Sequence, residues 1–297
     1  MTLTRLTVVG MRAPLERDPG DVGLAYEAAT FPATDGVEIH GWFIPRAHRG
    51  DGSNAGEARD AEPGPAVVFV HGWLWNRLGN VSGRVPFVDR DVDFLPATRA
   101  LHDAGYHVLL IDLSNHGESG ARVPITYGPW EVRDYQGALA YLRARPDVDP
   151  DRIGALGCSM GGNTVLYGTP DAQPVKALLA IQPARLPNFN RKFLTSEFGR
   201  FGPAMAWPLN ILYALLRAPQ PKRHDPAVPA RRLGETVVQY VQGTGDPWGT
   251  MADVEAFAEA TPNALPVVRY PSAGRYEGYR YISEAADDVA AFFKDHL

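Results

Sequence analysis

The feature that most constrains this chain is an alternation that begins at residue 66, where short apolar runs take turns with segments of helical period. The runs are AVVFVHG (66–72), HVLLIDLS (107–114), RIGALGCS (152–159), VKALLAIQ (175–182) and TVVQYVQG (236–243). Strands that are apolar at most positions are buried on both faces, as in parallel sheets that helices cover on each side. The sequence therefore predicts an α/β core.

Two β-rich segments precede this alternation. LAYEAATFPA (24–33) and VEIHGWFIP (37–45) are joined by TDG (34–36), and an Asp-Gly pair between strand-like runs is a strong hairpin signal. They predict an antiparallel pair at the start of the sheet. Residues 47–65 are rich in Gly, Ala and charge without an apolar period, which predicts a surface loop.

The alternation pauses between residues 183 and 226. This segment has helical stretches broken by prolines and carries the aromatic residues Phe189, Phe193, Phe198, Phe201, Trp207 and Tyr213. One interpretation is a peripheral helical insertion whose aromatic side chains pack together. The other is a cap over the carboxyl ends of the strands, where open α/β sheets bind ligands. We predict a core of residues 1–182 and 227–297 with a helical cap insertion at 183–226.

Composition excludes several classes of function. The chain has 297 residues, 45% of them hydrophobic, which is enough to form a large core. Its net charge of −5 gives it no extended positively charged surface. We therefore expect no nucleic-acid partner. Because there is one cysteine, no signal-like start and no apolar run near the ~20 residues of a membrane span, we expect a cytoplasmic protein without a membrane partner.

The sequence has no histidine and carboxylate cluster with metal-ligand spacing, and no glycine-rich dinucleotide turn after a first strand. The expectation is therefore a protein with neither a metal nor an organic cofactor. The sequence carries no signal for an oligomeric state.

Residues 157–161, Gly-Cys-Ser-Met-Gly, form a G-x-S-x-G pentapeptide between a predicted strand and a predicted helix. In that context the pattern is typical of a nucleophile elbow, in which Ser159 sits on a sharp, strained turn. Glycines flank it because side chains there would collide with the neighbouring strand and helix. The helix that begins at Met160 favours negative charge developing at its N-terminus.

Two further motifs fit the same chemistry. In VVFVHGW (67–73), a turn after the strand lets the Trp73 amide point at an oxyanion alongside the Met160 amide, although such a turn alone is common. In VQGTGDPWG (241–249), Asp246 follows a buried strand. An Asp before Pro is usually a turn or N-cap residue, but this is also the place of the acid in the chain order Ser, Asp, His.

Taken together, HGW after a strand, DLSNHGESG (112–120), GCSMGG (157–162) and GTGDP (243–247) resemble the α/β-hydrolase superfamily, and more narrowly its small serine-esterase and peptidase-like branch. The resemblance extends over nearly the whole chain from residue 24. It implies a mostly parallel eight-stranded sheet with helices on both faces, an N-terminal antiparallel hairpin and a small helical cap.

The resemblance also implies roles for individual residues: Ser159 as nucleophile, Asp246 as acid, and the amides of Trp73 and Met160 as oxyanion-hole donors. The family's histidine follows the last strand, and in PSAGRYEGY (271–279) that position is Arg275. Arginine, with a pKa above ~12, cannot accept a proton from serine at neutral pH. We therefore predict a salt bridge between Arg275 and Asp246 close to Ser159.

No histidine is an obvious replacement for the base. His71 and His116 are expected near the pocket, His224 at the end of the cap and His296 on the closing helix, and each is expected to be structural. Ser114, in the DLSNHGESG segment, stands where the family usually has arginine.

Two functions stay open. The first is a serine hydrolase of an ester, thioester or amide with an atypical or impaired triad of Ser159, Asp246 and Arg275. The second is a non-hydrolytic protein of the same fold: a lyase, isomerase, cyclase or ligand-binding protein. Tryptophans expected near the mouth of the pocket predict a small apolar or aromatic acyl substrate or ligand, although they are equally compatible with cap packing. They are Trp73, Trp75 and Trp248, and the residues expected to bind the substrate are Trp75, Trp207 and Trp248.

Overall fold

A central eight-stranded sheet organises the chain. The structure is a computed structural model, and it describes residues 3–47, 62–81, 91–172 and 174–297. The strands are β1 (Glu27–Pro32), β2 (Glu38–Ile44), β3 (Gly64–Val70), β4 (Gly79–Asn80), β5 (Val92–Asp93), β6 (His107–Ile111), β7 (Val148–Cys158), β8 (Ala177–Ile181), β9 (Val237–Gly243) and β10 (Val268–Tyr270). Their order in the sheet is β1-β2-β6-β3-β7-β8-β9-β10, while β4 and β5 form a separate two-stranded ribbon.

The sheet is parallel except at its first edge. β1 runs antiparallel to β2, and β2 antiparallel to β6, whereas β6, β3, β7, β8, β9 and β10 all run in one direction. The hairpin closes where Ala33 N donates to Val37 O across the TDG turn, 2.7 Å apart. The predicted antiparallel hairpin and mostly parallel sheet are therefore confirmed.

Helices cover both faces of this sheet. The helices of the described residues are α1 (Leu3–Val9), α2 (Leu95–Asp103), α3 (Val132–Arg143), α4 (Met160–Gly168), α5 (Leu186–Phe198), α6 (Gly202–Leu215), α7 (Ala227–Ala230), α8 (Met251–Ala260), α9 (Arg275–Gly278), α10 (Tyr281–Glu284) and α11 (Ala286–His296), of which α5 and α6 lie at the edge of the sheet. Consecutive strand residues face opposite sides. Val68 of β3 therefore belongs to the core cluster on one face, with residues of α3, α4 and α8, and Val67 belongs to the cluster on the other, with residues of α2 and α11.

Helices α5 and α6 occupy the segment in which the alternation pauses. Tyr213 of α6 is fully buried, and its hydroxyl donates to the Ile125 carbonyl oxygen, which ties the helix to the segment before α3. Val8 of α1 packs in the same small cluster. Most of the predicted surface loop at 47–65 lies outside the described residues, and β3 begins within its last residues, at Gly64.

Candidate active site

Ser159 lies on the turn between β7 and α4, at the carboxyl edge of the sheet. Its φ of 54° and ψ of −114° fall in a region that L-residues rarely occupy. The turn is held on both sides, because Ser159 N donates to Ile181 O of β8 at 2.9 Å and Ser159 O accepts from Asn163 N of α4 at 3.0 Å. The side chain is thereby presented to a cavity above the strands.

The two flanking glycines are required by close backbone approach. A Cβ on Gly157 would lie 2.3 Å from the Gly161 carbonyl oxygen, and a Cβ on Gly161 would lie 2.0 Å from the Val70 carbonyl oxygen of β3. Neither obstacle is a flexible side chain, so neither can move aside. The strained turn at Ser159 and the missing side chains around it are parts of one local structure.

Arg275 begins α9 and reaches the serine. Its Nη1 donates to the Asp246 carboxylate, while its Nη2 lies 3.3 Å from Ser159 Oγ and 3.0 Å from the Gln182 carbonyl oxygen. The residue is only 4% exposed. The predicted salt bridge beside Ser159 is therefore present in the structure.

Asp246 is surrounded by donors. Its side chain has no solvent exposure, and it accepts from Trp248 N at 2.9 Å, Gly249 N at 3.0 Å and Gln242 Nε2 at 3.1 Å, in addition to the guanidinium of Arg275. These bonds orient the carboxylate towards Arg275. A buried carboxylate with this many donors is held in one position and stays paired with its cation.

Arg275 remains charged in this environment. Burial alone lowers the pKa of its guanidinium, but the neighbouring Asp246 carboxylate raises it, and the net pKa lies above the ordinary value. The guanidinium carbon also lies 4.8 Å from the centre of the Phe189 ring and 5.2 Å from that of Tyr279. Arg275 therefore offers hydrogen-bond donors to the site and has no lone pair for a proton.

Tyr279 is a site residue that sequence reasoning missed. Its ring is buried against Trp75, with the ring centres 4.9 Å apart in an edge-to-face arrangement. Burial raises the pKa of its phenol, although a hydrogen bond with the Ser159 side chain opposes this shift. At neutral pH Tyr279 therefore keeps its proton beside the serine. Its place four residues after Arg275, one helical turn on, was the available signal.

The described histidines do not supply a base. His71 Nδ1 donates to Gly72 O at 2.7 Å and its Nε2 accepts from Leu113 N at 3.0 Å, so both nitrogens serve the turn after β3. His116 Nδ1 donates to Ser114 O at 2.9 Å, and burial lowers its pKa to about 3. Within the ranges that the structure describes, no histidine lines the cavity that contains Ser159.

The expected oxyanion donors lie at the same cavity. Met160 is the first residue of α4, so its amide is among those without an acceptor inside the helix. Trp73 follows the turn after β3, and its indole nitrogen donates to Leu6 O at 3.2 Å, which fixes the ring. Both residues line the cavity together with Ser159.

The cavity has a volume of about 780 Å³ and lies between the sheet edge and helices α5 and α6. Two of the three tryptophans expected to bind the substrate, Trp75 and Trp248, line it. The third expectation is wrong: Trp207 is 70% exposed and lies outside the lining, because it projects from the solvent side of α6.

Trp248 also connects the Asp246 turn to helix α5. Its ring meets those of Phe189, Phe193 and Tyr276 with centre distances of 5.8, 5.0 and 5.8 Å, and its indole nitrogen donates to Ser196 Oγ at 3.1 Å. The two interpretations of these aromatic residues are therefore compatible, since the same ring lines the cavity and packs against helix α5.

Among the described residues, no group of three or more His, Cys, Asp or Glu side chains is arranged to share a metal ion. None of the helices within the described ranges is both long and apolar enough to span a membrane.

The sequence of this chain is similar to those of known proteins. The profile of the alpha/beta hydrolase family matches residues 67–296. The YfhR protein of Salmonella typhi is 32% identical over 164 residues, which is 55% of this chain and 47% of that protein. The thiohydrolase aneE of Aspergillus aculeatus is 27% identical over 159 residues, 53% of this chain and 42% of that protein. The chain thus spans about half the length of the curated relatives it matches.

Solved structures share the fold over nearly the whole chain. The esterase Pf2001 of Pyrococcus furiosus superposes with a TM-score of 0.69 at 20% identity, covering 96% of this chain and 97% of that one. Est1E of Butyrivibrio proteoclasticus with bound ferulic acid superposes with a TM-score of 0.59 at 17% identity, covering 88% and 97%. At these identities the likeness establishes the architecture alone.

Proposed function

The chain belongs to the alpha/beta hydrolase family, and on that basis we propose that Ser159 is the nucleophile of a serine hydrolase acting on a small ester, thioester or amide. The proposal places the protein in the small serine-esterase and peptidase-like branch. It is supported by the strained turn at Ser159 and by the cavity into which that turn opens.

In the proposed reaction, Ser159 Oγ forms a bond to the carbonyl carbon of the substrate. The amides of Trp73 and Met160 bind the oxygen on which negative charge develops. The acyl group then transfers to Ser159, the alcohol, thiol or amine leaves, and water releases the acid from the acyl-enzyme. Such electrostatic stabilisation works without a base, so a basal rate remains when the base is missing.

The single observation that carries the proposal is the chain of contacts from Asp246 through Arg275 to Ser159 Oγ. It has the order of a triad with the guanidinium in the place of an imidazole. Because Arg275 holds its protons, the Ser159 proton must pass to solvent, which makes acylation slow. We therefore propose an impaired hydrolase rather than a fast one.

The substrate is proposed to be a small acyl compound with an apolar or aromatic group. Trp75 and Trp248 line the cavity beside Phe189 and Phe193, which favours contact with such a group. Among the proteins of similar fold or sequence are esterases and a thiohydrolase, which supports ester or thioester chemistry.

The proposal also assigns the parts of the chain. Residues 1–182 and 227–297 form the catalytic core, and residues 183–226 form the cap over its pocket, as supported by the lining that α5 and α6 contribute. The low cysteine content supports a cytoplasmic site of action.

One observation favours a second candidate function. Arg275 Nη2 donates to Ser159 Oγ at 3.3 Å, and Tyr279, whose raised pKa keeps its phenol protonated, lies beside the same serine. A site rich in donors binds a carbonyl or carboxylate acceptor well without acylating the serine. In this alternative the chain is a lyase, isomerase, cyclase or ligand-binding protein that uses the pocket without hydrolysis.

Covalent labelling with a fluorophosphonate probe tests the two candidates. We expect slow labelling of the native protein at Ser159, fast labelling and turnover of a short-chain p-nitrophenyl ester by Arg275→His, and no labelling of Ser159→Ala. The matched control is Arg232→His, which changes an exposed arginine that is not part of the pocket lining.

The outcomes separate the candidates. Faster labelling of Arg275→His than of both the native protein and Arg232→His supports an impaired hydrolase site. If neither the native protein nor Arg275→His labels while both stay folded, the hydrolase proposal fails and the non-hydrolytic candidate is favoured. Rapid labelling of the native protein contradicts the claim that Arg275 impairs acylation.

A further inference from the structure

Helix α6 presents an apolar face to solvent. Four of its large side chains, and that of Phe201 directly before it, are exposed to solvent: Phe201 by 65%, Met205 by 47%, Trp207 by 70%, Ile211 by 39% and Leu215 by 76%. We call these five residues the outer face of α6. Their spacing distributes them over about half of the helix circumference, so they form one surface rather than scattered positions. Contiguous apolar patches of this kind mark interaction sites.

The opposite side of α6 packs against the core and lines the cavity. Tyr213 is buried against the core, and Ala206 and Leu209 line the cavity. Phe201 and Met205 are exposed and also line the cavity. The outer face of α6 therefore continues to the rim of the cavity, and whatever covers this face lies next to the entrance.

The segment that carries the outer face has an excess of positive charge. Residues 183–226 contain seven Lys or Arg and two Asp or Glu, a net charge of +5 in a chain whose total is −5. Arg185 pairs with Asp225 and Asp253. Within the described part of the chain, the other six form no ion pair with a carboxylate: Arg191, Lys192, Arg200, Arg217, Lys222 and Arg223.

These cations lie where they can act with the apolar face. Arg200 directly precedes it, with its guanidinium carbon 4.8 Å from the centre of the Phe201 ring, and Arg217 follows two residues after Leu215. Arg191 and Lys222 line the cavity. An exposed apolar helix face bordered by unpaired cations is the arrangement with which amphipathic helices bind anionic bilayers.

We propose that the outer face of α6 docks on an anionic lipid surface. The apolar side chains enter the boundary between headgroups and acyl chains, and the cations bind the headgroups. A second copy of the chain is a poorer occupant, because a two-fold interface would bring the same cations against each other. Docking would bring the cavity rim to the lipid, so that an apolar compound dissolved there enters directly. The proposal departs from the expectation that no membrane is a partner.

Co-sedimentation with lipid vesicles tests the proposal. The full chain is mixed with vesicles of phosphatidylcholine alone or of equal parts phosphatidylcholine and phosphatidylserine. We expect binding to the anionic vesicles that weakens as salt is added, and much weaker binding to the neutral ones. Trp207→Gln/Leu215→Gln removes the apolar contact. Arg200→Glu/Arg217→Glu removes two cations, each contributing about a fivefold change in partitioning, so its binding falls by at least about 25-fold.

Matched controls separate docking from general changes of the surface. Val228→Gln replaces a side chain that is 63% exposed outside the outer face, and Lys294→Glu reverses an exposed charge on α11. Both are expected to bind like the native protein, as is Ser159→Ala, which makes the result independent of the proposed hydrolase site. Urea unfolding of each variant verifies that it is folded.

Three outcomes overturn the proposal. The first is no binding of the native protein to anionic vesicles. The second is binding by folded Arg200→Glu/Arg217→Glu or Trp207→Gln/Leu215→Gln that equals that of the native protein. The third is a dimer in analytical ultracentrifugation that the apolar double variant dissociates while vesicle binding is absent, because this outcome assigns the face to a second copy.

Discussion

Arg275 Nη2 lies 3.3 Å from Ser159 Oγ and donates a hydrogen bond to it, while Nη1 of the same guanidinium is bound by Asp246. This relationship reverses the polarity of the contact that a histidine base would make. A histidine accepts the serine proton, whereas the guanidinium donates one of its own. The positive charge stabilises an alkoxide once it forms, but the proton must leave by another route.

The first prediction concerns the pH dependence of ester hydrolysis. We expect the native rate to rise continuously from about pH 6 to about pH 9, because the raised pKa of Arg275 leaves it protonated throughout and solvent must take the proton. The rate of Arg275→His is expected to level off above about pH 7, once the new imidazole, with a pKa of about 6.5, is neutral. Initial rates with a short-chain p-nitrophenyl ester measure both profiles.

At pH 7 the Arg275→His protein should be faster by about 10²- to 10⁴-fold, the usual contribution of a general base. Ser159→Ala in each background is the control, since it removes the nucleophile and leaves only background hydrolysis. A plateau near pH 7 in the native profile would contradict the prediction, because it would require a different titrating base beside Ser159.

The second prediction concerns the buried ion pair. Arg275→Met leaves the fully buried Asp246 carboxylate without its cation, and we expect a loss of about 3–5 kcal/mol in the free energy of unfolding. Arg232→Met is the control, because the Arg232 pair with Asp171 is more than half exposed and should contribute about 1 kcal/mol or less. Urea unfolding measures both, and equal losses would show that the buried pair contributes no more than a surface one.

The parts of this molecule that local sequence determines were predictable. The hairpin at 34–36 follows from Asp-Gly between two strand-like runs, because the turn conformation is set by those residues themselves. The glycines beside Ser159 are likewise required by a turn that occupies five residues. The contact between Arg275 and Asp246 could also be predicted, because the loops that carry them lie at the same edge of the sheet.

The remainder depends on how helices are rotated, which single residues do not encode. Helix α6 is apolar almost all round, so its sequence does not indicate which side faces the cavity, and Trp207, expected to bind the substrate, lies on the solvent side. Tyr279 was missed for a related reason. Its contact with Ser159 exists because α9 makes one short turn after Arg275, a feature without apolar periodicity.

The third prediction tests the turn at Ser159. Gly161→Ala places a Cβ 2.0 Å from the Val70 carbonyl oxygen, and relief requires a shift of β3 or α4. We expect a loss of about 3 kcal/mol or more in the free energy of unfolding, measured in urea. Gly274→Ala is the control, because its backbone is extended and a Cβ there meets no atom within 4 Å. A stable Gly161→Ala protein would show that the turn has more room than this geometry allows.

The fourth prediction concerns Asp134 of α3, which is buried below the DLSNHGESG segment. Its carboxyl accepts from Ser114 N at 2.8 Å, yet burial raises its pKa to about 7. An unfolded aspartate has a pKa of about 3.9. Between these two values the folded protein holds a proton that the unfolded chain has released, so stability falls as pH rises through that window and is level above it.

Asp134→Asn removes this dependence, because an amide cannot ionise while its oxygen still accepts from Ser114 N. The variant should therefore gain stability relative to the native protein as pH rises from about 4 to about 8, by up to about 4 kcal/mol. Urea unfolding at several pH values measures the difference between the two proteins, which should be smallest at about pH 4, where both side chains are neutral. A difference that stays constant over this range would mean that Asp134 is already ionised in the folded protein at low pH, and that its bond with Ser114 outweighs its burial.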